Sequence, residues 1–182
     1  MANQTLELWN RLARLPAGKA LFSRLVCFRA PYFGSIRPRF VRLEPGVAEV
    51  RMKKRRVVQN HIGTVHAIAM CNMAELAGGT MTEVTVTPSQ RWIPKGMTVR
   101  YLKKAGSNLR AVATPASALP ETGESGDYPV RVEVRDADDE LVAAGLLGAN
   151  PPRHLPQLGD AGRGRVFGEP LIQGLFSGVH NV

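Results

Sequence analysis

Cysteine is scarce, with two residues, Cys27 and Cys71, in a chain of 182. They form no CxxC pair, which excludes a disulfide framework and a cysteine-based zinc site and leaves two free thiols, as expected in a reducing compartment. Aromatic residues make up 6% of the chain, too few to supply stacking platforms beside the basic runs, so nucleic acid is not an expected partner. No apolar run approaches the ~20 residues needed to span a bilayer. The mixed start Met1-Ala2-Asn3-Gln4-Thr5-Leu6-Glu7 lacks the pattern of a secretory signal, and the expected location is cytoplasmic. Acidic residues are the minority, 15 against 24 Lys and Arg, for a net charge of +9. That excess favours an anionic partner, and charge alone does not choose among nucleic acid, a membrane surface and a phosphate-bearing small molecule.

With 44% hydrophobic and 21% charged residues, the chain has the composition of a folded protein and the length for one sizeable core. Residues Thr5 to Phe28 carry helical periodicity, broken near Pro16-Ala17-Gly18, which predicts two short helices or one bent one. From Ile36 to Val58 the pattern turns β-rich, and Glu44-Pro45-Gly46 supplies a hairpin turn. Val65 to Leu76 is apolar all round, the signature of a buried helix, and Gly78-Gly79 is expected to end it. Strands are expected near Glu83–Thr87, Met97–Lys103, Leu109–Thr114, Val130–Arg135 and Leu141–Leu147. Lys104–Asn108 and Asp136–Asp139 supply hairpin turns between them. The order predicts an α+β fold in which a curved antiparallel sheet wraps one central buried helix. Residues 1–35 form an N-terminal helical extension, 36–150 the main domain, and 151–182 an irregular Pro/Gly-rich arm. No internal repeat is visible.

Two polar residues, Asn72 and Glu75, interrupt the buried helix three apart and so on one face. A carboxylate in apolar surroundings is costly unless hydrogen-bonded or put to use, which makes Glu75 a candidate for chemistry. The plain alternative is a Glu75 that reaches solvent or pairs with an arginine. Ahead of the helix runs Asn60-His61-Ile62-Gly63-Thr64-Val65-His66-Ala67, so that Asn60, His66 and Glu75 follow at fixed spacing. This resembles the hot-dog-fold acyl-CoA thioesterases of the phenylacetate-pathway type, whose pattern is Asn, Gly-Thr, His-Gly-Gly and then an acidic residue two to three turns into the helix.

The resemblance implies a hot-dog fold and hydrolysis of a fatty or aromatic acyl-CoA, without a cofactor. It gives Glu75 the part of the catalytic carboxylate, acting on water or directly on the thioester. It gives Asn60 the part of positioning water or substrate. The backbone N–H groups near His66 and Ala67, at the positive end of the helix, become the oxyanion donors, with Gly63, Thr64, Ile68 and Asn72 lining the substrate. Ala67-Ile68 replace the family's Gly-Gly: alanine keeps the backbone donor, while Ile68 crowds the approach. Independently of any family, nine residues at about 1.5 Å each put His66 and Glu75 roughly 13 Å apart on one helix, too far to act on one carbonyl. Two such helices packed antiparallel across a two-fold axis bring the start of one beside Glu75 of the other. A homodimer, or a dimer of dimers, is therefore expected.

The densest basic runs are Lys53-Lys54-Arg55-Arg56 and Lys103-Lys104, with Arg110 close behind. Arg55, Arg56, Lys103, Lys104 and Arg110 are candidates to hold the phosphates of coenzyme A, against the plainer reading of a solvated strand face. His61 and His66 lack further ligands at metal spacing, the other histidines being His154 and His180 in the arm, so no metal is expected. Cys71 reads as a small core residue, Thr64 as a cap for the buried helix, and Ser89-Gln90-Arg91-Trp92 as either tunnel lining or ordinary packing. The N-terminal helices, basic among leucines and phenylalanines, suit either an anionic membrane surface or, the preferred reading, cover for a sheet edge. Two rival functions stand beside hydrolysis. One is hydration or dehydration of an acyl-CoA by His66 with Glu75 of a second chain, and the other is non-catalytic binding of acyl-CoA or lipid.

Overall fold

The computed structural model describes residues 3–87, 92–118 and 127–148. The helical extension consists of α1 (Gln4–Leu12) and α2 (Gly18–Arg29), followed by a 3-10 turn over Pro31–Ile36. Asn3 caps α1, its side chain accepting from the Leu6 N–H at 3.0 Å. The hairpin β1 (Arg39–Glu44) and β2 (Val47–Met52) comes next, then a second 3-10 turn over Arg56–Val58 and the long helix α3 (Ala67–Thr85). Four more strands follow among the described residues: β3 (Met97–Tyr101), β4 (Leu109–Pro115), β5 (Val130–Arg135) and β6 (Leu141–Leu147).

All six strands join one antiparallel sheet in the order β1-β2-β4-β5-β6-β3. Period-two alternation sets which face is which: Val130, Val132 and Val134 of β5 are buried while Arg131 is exposed. The same alternation on β2 buries Ala48, Val50 and Met52, and on β4 Leu109, Ala111 and Ala113. The sheet curves round α3, whose Met70, Met73, Leu76, Ala77, Met81 and Val84 complete the core.

Several expectations are corrected. Gly78-Gly79 do not stop α3, which runs on to Thr85. Their lack of a side chain serves packing: a Cβ on Gly78 would stand 2.9 Å from Leu147 Cδ2, and one on Gly79 3.1 Å from the Trp92 ring. The strand expected near Glu83–Thr87 is instead the last turn of this helix, because Thr82 and Val84 are buried against the core and tertiary packing overrides β-branched propensity. The Lys104–Asn108 segment is no hairpin turn either. β3 pairs with β6 and β4 with β2, so this segment carries the chain across the sheet. The Asp136–Asp139 turn does close the β5–β6 hairpin, with Asp136 Oδ1 accepting from the N–H groups of Asp138 and Glu140 at 3.0 Å each.

The extension covers the outer edge of the sheet at β1. The Phe40 N–H donates to Ser23 Oγ at 2.9 Å, and Lys19 Nζ donates to the Val41 carbonyl at 2.7 Å, so side chains of α2 satisfy strand groups that would otherwise face water. Trp9, Phe22 and Phe40 pack edge-to-face beneath, with ring centroids 5.1 Å apart for Trp9–Phe22 and 5.2 Å for Phe22–Phe40. The arm 151–182, with His154 and His180, lies outside the described residues, as do Ser89-Gln90-Arg91.

The break between α1 and α2 turns on Gly18, where a Cβ would stand 1.8 Å from the Leu12 carbonyl oxygen. That atom is backbone and cannot step aside, so Gly18→Ala is expected to destabilise the protein by about 1–3 kcal/mol in urea denaturation. Gly78→Ala presses only on the tip of Leu147, and the helix propensity gained, about 1 kcal/mol, largely offsets the contact. The second variant should therefore unfold close to wild type.

Candidate functional site

The start of α3 is held by its own flanking loop. His66 is the N-cap, its Nδ1 accepting from the Ile68 N–H at 3.1 Å. A neutral imidazole that accepts at Nδ1 carries its proton at Nε2, and this leaves His66 an outward N–H donor. Thr64, expected to cap the helix, does not: its Oγ1 accepts from Asn60 Nδ2 at 2.8 Å. The N–H groups of Ala69 and Met70 turn back to the His66 carbonyl. Among the described residues this leaves the Ala67 N–H as the one donor of the first turn without an acceptor.

Asn60 builds the loop that presents this turn. Its Oδ1 accepts from the N–H groups of Ile62 (3.2 Å) and Thr64 (3.1 Å), and its N–H donates to the Thr64 carbonyl at 2.9 Å. Gly63 takes a positive φ of 76° to close the turn. Both lone-pair positions of Asn60 Oδ1 are thereby occupied, so the side chain has one Nδ2 hydrogen left to offer a ligand.

Glu75 lies two turns further on, exposed, with no hydrogen bond or ion pair among the described residues. Desolvation by its surroundings pushes its carboxyl pKa above the usual carboxylate range. It shares a stripe of α3 with exposed Ile68 and half-buried Cys71, so the helix is not buried on every side. Cys71 is no inert core thiol: its Sγ and the Tyr101 hydroxyl on β3 share a 2.9 Å hydrogen bond. Desolvation by burial, foremost, pushes both the Cys71 thiol and the Tyr101 hydroxyl up. Among the described residues β3 bonds to β6 alone, and no strand pairs with its other edge, which lies beside this stripe.

Asn72 faces inward, 5% exposed. Its Nδ2 donates to Ser35 Oγ at 3.2 Å and lies 3.5 Å from the Tyr32 carbonyl, tying α3 to the Pro31–Ile36 turn. Its Oδ1 is buried and unpartnered. Beside it is a cavity of about 160 Å³ lined by Tyr32, Ser35, Val57, His66, Ile68 and Asn72 among others. Tyr32, Ser35 and Tyr101 carry no signal in the sequence that marks them for this site. Each meets the site only through tertiary contacts 30 to 40 residues distant in the chain, and no local spacing announces that.

The basic runs meet at the same end of the sheet. The Lys54 N–H donates to Asn108 Oδ1 and Lys54 Nζ to the Gly106 carbonyl, both at 2.9 Å, while the Val65 N–H donates to the Ala105 carbonyl. Of the candidate phosphate ligands, Lys103 is ion-paired with Glu140 and Arg110 with Asp139. Arg55, Arg56 and Lys104 have no carboxylate partner among the described residues. Desolvation, with the nearby Arg37 charge, lowers the Arg55 pKa. Among the described residues no three His, Cys, Asp or Glu side chains gather as a metal site, and no helix is long and apolar enough to cross a membrane.

A family model described as a domain of unknown function, DUF4442, matches residues 18–147. The chain is a member of the DUF4442 family. A search of curated proteins gives no match. Among solved structures, a structural-genomics target is 44% identical, with 79% of this chain and 93% of that one covered at a TM-score of 0.67. A Pseudomonas aeruginosa protein of unknown function, described as a probable thioesterase, is 28% identical over 73% of this chain and 93% of its own, with a TM-score of 0.61. A thioesterase-family protein from Silicibacter pomeroyi, 18% identical, covers 69% and 91% with a TM-score of 0.57 and shares the fold. This DUF4442 chain thus has the hot-dog fold and stands in the thioesterase-fold group that its sequence resembles.

Asn60→Ala is expected to release the Asn60–Thr64 loop. Three hydrogen bonds to its side chain are lost, two of them from backbone donors, at a cost of about 1–3 kcal/mol, whereas Asn60→Asp keeps both accepting bonds and recovers most of it. Denaturation midpoints and amide exchange at Ile62 and Thr64 would measure this.

Proposed function

We propose that this protein hydrolyses an acyl-CoA thioester, releasing a fatty or aromatic acid and free coenzyme A. The observation that carries the reading is the pairing of a free backbone donor at the start of α3, the Ala67 N–H, with an unpaired, desolvated carboxylate, Glu75, on the same helix. The first suits an oxyanion, because the helix N-terminus is positive and the N–H costs no reorganisation to use. The second suits a base, because desolvation raises its pKa and so strengthens the pull of the carboxylate on a water proton. The His66 Nε2–H is a second donor beside the first. The probable-thioesterase description of the Pseudomonas aeruginosa relative, 28% identical, agrees with this chemistry.

The two groups stand too far apart along one helix to meet on one carbonyl, so the active species is a homodimer. The Ile68–Cys71–Glu75 stripe and the β3 edge that no strand pairs with among the described residues lie side by side, which supports pairing through β3 with two α3 helices antiparallel across the axis. Water activated by the Glu75 carboxylate of one chain attacks the thioester carbonyl held at Ala67 and His66 of the other. The C–S bond then breaks as the carbonyl re-forms, and the proton taken by Glu75 passes to the leaving thiolate. Arg55, Arg56 and Lys104 meet the phosphates of coenzyme A, while Gly63, Thr64, Ile68 and Asn72 shape the approach to the carbonyl.

Thiol release from a panel of short, medium, long and aromatic acyl-CoAs tests this. Wild type should turn over at least one member, and Glu75→Gln should lower kcat by at least about 100-fold. The wild-type rate should fall with acidification as Glu75 takes up a proton, with its midpoint above the ordinary carboxylate value, because only the ionised group serves as base. Tight acyl-CoA binding without thiol release would point to the non-catalytic alternative, and hydration of an enoyl-CoA without thiol release to the hydratase. Equal rates in wild type and Glu75→Gln would remove Glu75 from the mechanism.

A further inference from the structure

Helix α2 is apolar on two faces. One carries Phe22, which is 1% exposed and packs on Trp9 and Phe40. The other carries Leu21, Leu25 and Phe28, spaced i, i+4, i+7 and therefore within about 60° of arc. All three are exposed, Phe28 at 86%, and four residues on Tyr32 is 68% exposed. A stripe of large apolar side chains on the water side of a covering helix has no part in the core.

The charge around this stripe is one-sided. Residues 1–43 contain eight basic residues and one acidic residue, Glu7, so they hold seven of the chain's nine net positive charges. Arg24 and Arg29 flank the stripe on α2 itself, and Arg11 and Arg14 lie on α1 and the connection after it. None of these four is ion-paired among the described residues; within residues 3–43 the one ion pair is Arg42 with Glu44. An apolar ridge bordered by unpaired arginines is complementary to a lipid surface, where headgroups meet the charges and the acyl boundary takes the side chains.

We propose that this face of α2 docks the protein on an anionic membrane surface, with Leu25 and Phe28 inserted and Arg24 and Arg29 on the headgroups. A second copy of the chain is a poorer fit, because Arg24 and Arg29 beside the stripe would meet their own like charges across a two-fold axis. The face also lies clear of the proposed dimer contact: α2 sits on β1, at the opposite end of the sheet from β3. The proposal does not depend on the chemistry at Glu75. Tyr32 belongs both to the exposed apolar run and to the lining of the cavity at α3.

Co-sedimentation of the full-length chain with vesicles tests it. Binding should be strong to phosphatidylcholine vesicles containing about 25% phosphatidylglycerol, at least about fivefold weaker to phosphatidylcholine alone, and reduced at about 0.5 M salt. Leu25→Ser with Phe28→Ser, and separately Arg24→Glu with Arg29→Glu, should each weaken it about tenfold. Both pairs project away from the core, so circular dichroism and the thermal midpoint should match wild type. Three results would each overturn the proposal: no preference for the anionic vesicles, vesicle binding unchanged by the Leu25→Ser, Phe28→Ser pair, or a wild-type oligomer that this pair dissociates without lipid, which would make the face a contact between copies.

Discussion

The close approach of α3 to the sheet is the constraint on which the rest depends. At Gly78 the helix comes so near Leu147 that even a methyl group would touch it, and along its length alanine and methionine fill what space remains. Small residues let helix and sheet share one dry layer, and flexible methionines take up the irregularities of a curved surface. Because α3 is held this firmly, its first turn and its outer stripe have fixed positions, and both carry the groups proposed for the chemistry. A helix free to slide by one residue would rotate Glu75 by about 100° and carry it off the stripe.

The first turn shows how a loop can ready a helix for a ligand. Four N–H groups at a helix start lack partners by geometry. Here the Val58 carbonyl takes the N–H of His66, the His66 side chain takes that of Ile68 and the His66 carbonyl takes that of Ala69, so a single donor, that of Ala67, stays available. The Asn60 side chain fixes the loop that makes this selection. It acts here as an organiser of backbone, a part that a linear motif assigns only as polar and near.

Much of this was legible in the chain itself. The β1–β2 and β5–β6 hairpins are readable because alternation and turn residues act over a few positions, and the Asn60–His66–Glu75 spacing marks the helix start and its carboxylate. The errors share one cause. Gly78-Gly79 read as a stop, and Glu83–Thr87 as a strand, because local propensity is blind to Leu147 and to the core that keeps the helix going. Thr64 read as the cap because its hydroxyl was counted without its partner, Asn60. Tyr32, Ser35 and Tyr101 join the site through contacts no local pattern encodes, and the crossing between β3 and β4 looks like any hairpin turn until the pairing partners are known.

The two ends of the sheet are treated differently. At β1, Ser23 and Lys19 of α2 occupy strand groups that would otherwise pair with another chain, while among the described residues no strand pairs with the outer edge of β3. A sheet with one sealed border and one open border can recruit a single neighbour and then has no border left. Growth by strand addition is therefore self-limiting, and a protein whose core is mostly sheet avoids the endless stacking that two open borders would permit.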